Sequence, residues 1–125
     1  MHVQIYGART LEDSLALVEM GVDHLGIELL EGHEETVAEI IEAVRGKTVT
    51  VLLPLYDDLE RIIDVTRRMR PDVIHLCSNE GVMDIERIEA FAAEVAPTQV
   101  MQAIPVTPPG SALEIDSLAL AKARG

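Results

Sequence analysis

The feature that most constrains this chain is alternation. Five short apolar runs are each followed by a segment of helical period. They lie at 3–6, 24–30, 48–55, 73–77 and 99–106. A chain built this way lays its strands parallel and returns through right-handed helical crossovers. No linker, low-complexity stretch or second domain interrupts residues 1–125, so we read one α/β domain of five βα units. The first unit shows the chemistry. Val3-Gln4-Ile5-Tyr6 alternates as a two-faced strand, and Gly7 allows a tight exit. Thr10 is placed to cap a helix, with Asp13 near its positive end. That helix should run from Leu11 to Met20 on Leu11, Leu15, Leu17 and Val18, and stop at Gly21.

The later helices follow the same logic. Glu34 to Val44 carries Val37, Ile40, Ile41 and Val44 on one face and glutamates on the other. Gly46 ends it. Leu59 to Met69 turns Ile62, Ile63 and Val65 inward, and Pro71 closes the unit. A fourth helix runs from Met83 or Asp84 to Val95, and a fifth from Ser111 or Ala112 to Ala123. The third strand is almost continuously apolar, as expected when both faces are buried, and Pro54 suits its end.

Composition sets limits on function. Hydrophobic residues make up 48% of the chain and aromatics 2%, so the core must be aliphatic. A net charge of -12 argues against a nucleic-acid partner, which needs a basic patch. It leaves room for a small phosphorylated ligand, which needs only a few N–H groups and one cation. The single cysteine rules out an intrachain disulfide and fits a reducing cytoplasm. No apolar run reaches the ~20 residues of a membrane helix, and we see no signal peptide, so no membrane partner is expected.

Two architectures fit five βα units. One is an open flavodoxin-like sheet, and the other is a (βα)5 segment of a (β/α)8 barrel, which takes about 250 residues when complete. In either, ligands bind at the carboxyl ends of strands. If Gln4 and Tyr6 point to the inner face, pleating places Gly26 and Glu28, His75 and Cys77, and Gln102 there too. Val3, Ile5, Leu25, Ile27, Ile74 and Leu76 would then pack under helices. Tyr6, Arg9, Glu28, Cys77, Asn79 and Glu80 fall at strand ends and form a candidate ring of site residues.

Each has a plainer reading. Tyr6 either contacts a ligand or fills the mouth, and at its ordinary pKa of about 10 it is a poor base. Arg9 either binds an anion or pairs on the surface with Glu12 or Asp13. His75 and Cys77, with Glu28, have the spacing of three metal ligands, but a hydrogen-bonded buried histidine and an inert cysteine are the safer reading, and no metal is expected. An acidic Glu28 on an apolar strand must be paired or solvated. His24 and His33 read as surface. The sequence has no phosphate-cradling glycine loop, nucleophile elbow or Cys-x-x-Cys, and no cofactor is expected.

Several of these stretches resemble phosphoribosylanthranilate isomerase, a (β/α)8 enzyme family of tryptophan synthesis. Val3-Gln4-Ile5-Tyr6-Gly7-Ala8-Arg9-Thr10-Leu11-Glu12-Asp13 is similar to its opening strand and helix. Gly21-Val22-Asp23-His24-Leu25-Gly26-Ile27 resembles its Gly-Ala-Asp-Ala-Leu-Gly-Phe. Asp72-Val73-Ile74-His75-Leu76-Cys77-Ser78-Asn79-Glu80 stands where the family has Asp-Val-Val-Gln-Leu-His-Gly-Asp-Glu, and Gln102-Ala103-Ile104-Pro105-Val106 where it has Lys-Ala-Ile-Arg-Val. The resemblance covers the whole chain and favours the barrel segment.

It implies an isomerase that opens an aminosugar phosphate and moves a proton; the pleat and the strand ends supply Arg9, Glu28, His75, Cys77, Asn79 and Gln102 as candidate substrate-binding residues. The residues depart from the family at the chemistry. Tyr6 stands in place of the catalytic cysteine, Gln4 in place of a lysine, Pro105 in place of an arginine, and Glu31-Gly32-His33 in place of a longer Ser-Pro-Arg loop. The family's aspartate acid belongs to a sixth strand, after the five units read here. We therefore expect altered or lost isomerase activity toward a small anionic sugar phosphate. The alternative is a non-catalytic half-barrel module that forms homo-oligomers through its open edges.

Overall fold

The computed structural model describes residues 1–77 and 85–103. Within them five strands alternate with four helices: β1 (Gln4–Ala8), α1 (Leu11–Glu19), β2 (His24–Leu29), α2 (Glu34–Val44), β3 (Val49–Pro54), α3 (Leu59–Met69), β4 (Val73–Leu76), α4 (Ile85–Val95) and β5 (Gln99–Gln102). Every adjacent pair is parallel, and the sheet order is β1-β2-β3-β4-β5. A sequential order belongs to an arc of barrel. A flavodoxin-like sheet reverses at a switch point and would set β1 between β2 and β3, so that alternative falls. The expected fifth helix, Asn79, Glu80 and Pro105 lie outside the described residues.

Helix ends form as their residues dictate. Thr10 Oγ1 accepts the Asp13 N–H at 3.1 Å, and Asp58 Oδ1 accepts that of Arg61 at 3.1 Å. Gly21 and Gly46, with φ of 84° and 75°, follow α1 and α2. At the end of α3, the Arg45 guanidinium donates to the Met69 and Arg70 carbonyls, each at 3.0 Å. Those carbonyls would otherwise lack partners.

One departure from expectation is at Gly7. The first strand does not exit there but runs on to Ala8. Ile5 pairs with Leu25 and Ala8 with Ile27, so β1 carries one extra residue against β2. This is a bulge, and Gly7 takes its positive φ of 87°. Without the extra residue Ile5 and Ala8 would face opposite sides. With it both face the helices.

The core lies between sheet and helices. Leu25, Ile27, Leu29, Leu52 and Ile74 meet Val37, Ile40, Ile41, Val44, Ile62, Val65, Phe91 and Val95. Each such side chain, fully buried, contributes about 1.5–3 kcal/mol. Val3 and Ile5 do not join this core as expected. They remain 40% and 36% exposed, because β1 is the sheet's edge. The inner face carries a second apolar cluster of Val51, Leu53 and Val73, with Val49, Cys77 and Met101 against it. Gln4 also lies on this side, in register with His24 and Val49. Its Nε2 is buried without a hydrogen-bond partner. Gln4→Leu should therefore raise stability by about 1 kcal/mol, read as a higher urea midpoint with unchanged slope. His24, expected at the surface, is half-buried with its ring 5.9 Å from that of His2.

The amino ends of the strands are tied by polar side chains. Val3 N–H donates to Asp23 at 2.7 Å, Thr48 Oγ1 to the Val22 and Asp23 carbonyls, and Thr98 Oγ1 to the Pro71 carbonyl. An open hollow of about 550 Å³ lies there, lined by Gly21, Asp23, Gly46, Lys47, Thr48 and Asp72. Asp23, Thr48 and Asp72 are engaged in bonds that hold the fold, which is the usual role of this end. Among the described residues no helix is long and apolar enough to cross a membrane.

Candidate functional site

The candidate site is at the opposite end, on the inner face. Its floor is glycine. Gly26 is fully in register with Val51 on β3 and faces the same way. A Cβ on Gly26 would fall 2.7 Å from Tyr6 Cδ1 and 3.1 Å from both Tyr6 Cα and the Ile5 carbonyl oxygen. The Tyr6 ring thus lies directly over a position that admits no side chain. From there it reaches His75 on β4. Tyr6 Oη is 3.5 Å from His75 Nδ1, with ring centroids 5.9 Å apart and planes inclined by 48°.

This contact reports the shape of the sheet. Two strands separate β1 from β4. Side chains standing off a flat sheet at those positions would be about 14 Å apart, three strand spacings. They meet because the sheet curls toward its inner face, as a barrel segment does.

Beside the pair, Arg9 follows the bulge. Its Nε and Nη2 both donate to Glu28 Oε2, at 2.7 and 2.6 Å. The surface pairing of Arg9 with Glu12 or Asp13 is thereby corrected: the strand register carries Glu28 to it instead. The bond satisfies the requirement that Glu28 be paired. The guanidinium stays 63% exposed while Glu28 is 20% exposed, so the pair opens on solvent from its arginine side.

Burial shifts two groups on β4's inner face. It lowers the His75 pKa, because the charged imidazolium is the form that desolvation penalises. It raises that of the half-buried Cys77 thiol, which packs against the Val51 cluster. His75 is therefore neutral at neutral pH and Cys77 is a thiol. For His75 the sign is fixed. The unfolded chain takes up a proton near 6.5 and the folded chain only below that. Its contribution to stability is complete above pH 6.5 and is lost as the pH falls toward the folded value. A histidine-resolved NMR titration should show a midpoint below the unfolded one. His75→Gln should flatten that part of the stability–pH curve.

Arg61, in the first turn of α3, clasps the rim. It donates to Glu31 at 2.6 Å and to Glu34, and its guanidinium sits 4.6 Å over the Tyr56 ring. The Glu34 carboxyl is held below its ordinary range, first by its own backbone N–H and then by Arg61. The clasp should persist below the usual glutamate range and be lost only as pH falls through the lowered Glu34 value. Carboxylate NMR of wild type and Arg61→Met checks this: Glu34 should titrate higher in the variant than in the wild type, yet remain lowered by its own backbone N–H.

One expectation fails here. Gln102 was placed on the inner face, yet in the β4–β5 register His75 pairs with Met101 and Leu76 with Gln102. Leu76 and Val100 belong to the helix side and Met101 to the inner cluster. Gln102 is consequently helix-facing and buried, away from Tyr6. Among the described residues no three His, Cys, Asp or Glu side chains gather as a metal site would need. Tyr6, Arg9, Glu28, His75 and Cys77 share one face at the strands' carboxyl ends.

The role of Gly26 and the Arg61 clasp went unseen in the sequence. An arginine in a helix's first turn, where it opposes the dipole, is the signal that could have pointed to the clasp.

The fold has a solved counterpart. The chain is similar to the crystal structure of a phosphoribosyl anthranilate isomerase from Thermus thermophilus. The match has a TM-score of 0.65 and 26% sequence identity, and covers 89% of this chain. It covers 55% of the other, so this chain spans about half the length of that isomerase. The likeness supports the α/β barrel-segment fold and suggests the isomerase lineage. The chain matches no protein-family model and no curated protein.

Proposed function

We propose that this protein is a divergent descendant of the phosphoribosylanthranilate isomerase lineage, whose site takes a small anionic sugar phosphate and whose isomerase activity is altered or lost. The observation that carries this is the placement of Tyr6 where the resemblance puts the catalytic cysteine, on a fold similar to that isomerase. Arg9 supplies the cation for the anionic group, and Glu28 holds it in place until the ligand arrives. The single cysteine fits a reducing compartment, and we place the protein in the cytoplasm.

Titration with phosphoribosylanthranilate, followed by its anthranilate fluorescence, tests the reading. Saturable binding that Arg9→Ala weakens is the expected result, with conversion slow or absent. No binding up to millimolar ligand would overturn it.

A second reading rests on the β1 edge, where Val3 and Ile5 are apolar and exposed. On this reading the chain is a non-catalytic module that self-associates through its edges. Light scattering decides: a concentration-dependent mass that Ile5→Lys abolishes favours self-association, and a monomer at every concentration removes it.

A further inference from the structure

We propose that Tyr6 and His75 act together as a two-point proton relay, interconverting a carbonyl and its enol in a small phosphorylated α-hydroxy or α-amino carbonyl compound. The inference rests on the isomerase-lineage reading of the site and names residues and chemistry for it.

On the inner face β3 offers Val51 and Leu53, β4 offers Val73, with Cys77 just after it, and β5 offers Met101. The acidic group on β2, Glu28, is bound to Arg9. Among the described residues the imidazole therefore meets one polar partner, the Tyr6 hydroxyl, and pairs with no carboxylate. A neutral imidazole has one N–H and one lone pair. When Nδ1 carries the proton and directs it to Tyr6 Oη, the Nε2 lone pair is left to act as a base. The Tyr6 proton is then left to act as an acid. A separation of 3.5 Å is long for such a bond, and bonds of this kind tighten when ligand closes the site.

The relay balances without an oxidant or a leaving group. Nε2 takes the proton from the carbon next to the carbonyl. The C–H electron pair becomes the C=C bond, and the carbonyl π pair moves to oxygen. That oxygen takes the Tyr6 proton, and Tyr6 Oη takes the Nδ1 proton. The products are a neutral enol, a neutral tyrosine and a histidine of the other tautomer. No phenolate forms, so the ordinary pKa of tyrosine, about 10, is no obstacle. Arg9 lies on the same rim. Its Nε and Nη2 share a single Glu28 oxygen, which leaves Nη1 for an anionic substituent.

The test uses dihydroxyacetone phosphate as probe, with deuterium exchange at its carbon-bound hydrogens followed by proton NMR in D₂O. Wild type should exchange the probe above the buffer rate. Tyr6→Phe, which keeps the ring over Gly26, and His75→Gln should each lose about 100-fold. The double variant should lose no more than either alone, as for groups acting as a unit. In ligand-free protein, ¹⁵N NMR should show the His75 tautomer ratio change in Tyr6→Phe, which a packing role would not produce. Absence of exchange in wild type, or variants that exchange as wild type does, would overturn the relay. So would a tautomer ratio indifferent to Tyr6→Phe.

The relay and the lineage reading fail separately. Relay-dependent exchange in a protein that does not bind phosphoribosylanthranilate keeps the relay and rejects the lineage function. Phosphoribosylanthranilate binding without relay-dependent exchange does the reverse.

Discussion

Gly26→Ala is expected to destabilise the protein by about 2 kcal/mol, within the range for overpacking a close contact, and to pull Tyr6 away from His75. Three atoms stand in the path of the new methyl. Tyr6 Cδ1 at 2.7 Å could swing aside, but the Tyr6 Cα and the Ile5 carbonyl oxygen at 3.1 Å are backbone. Relief therefore requires β1 to move off β2 at its bulge, where the two strands are already out of simple register. Stability should fall in urea melts, and the Tyr6–His75 ring contact should vanish from NOE spectra in the same variant. An alanine protein of wild-type stability with that contact intact would mean that the ring does not lie over Gly26.

The second large effect is expected at the other end of the sheet. The β3–β4 ladder begins at Val51 and Val73, one residue above Thr50. Asp72 bridges that start. Its Oδ2 accepts the Thr50 N–H at 2.8 Å and the Thr50 hydroxyl at 2.9 Å, and its own N–H donates to Thr50 Oγ1 at 3.0 Å. Thr50 is 2% exposed, so these donors have little water to turn to. Asp72→Ala should cost about 2 kcal/mol, the penalty for orphaning a buried donor and losing a charge-assisted bond. Asp72→Asn keeps an acceptor oxygen and should cost about half as much. Hydrogen exchange at the Thr50 amide should accelerate in the alanine variant. A loss under about 0.5 kcal/mol with an unchanged Thr50 amide would contradict the bridge.

What was legible in the sequence followed locality. Thr10 as a cap and Gly21 and Gly46 as helix stops are local decisions, and the chain obeys them. The shared inner face of Tyr6, Glu28, His75 and Cys77 was legible as well, because alternation within a strand needs no knowledge of its neighbours. Gln102 was not, since which face a residue of β5 presents depends on its register with β4. Gly7 misled for a related reason: a glycine that exits a strand and one that bulges within it look alike without the opposing strand. The partner of Arg9 was likewise set by β2 rather than by its own helix, and the Arg61 clasp by loops after two different strands.

The most direct test of the account is the NOE between the Tyr6 and His75 rings in the wild-type protein. The two residues lie on strands separated by two others and meet only if the sheet is curled as a barrel segment with its site on the inner face. A ring-to-ring NOE, consistent with centroids 5.9 Å apart, is the predicted result. Its absence, with NOEs instead joining β1 to β3, would contradict both the sequential curled sheet and the site built on it.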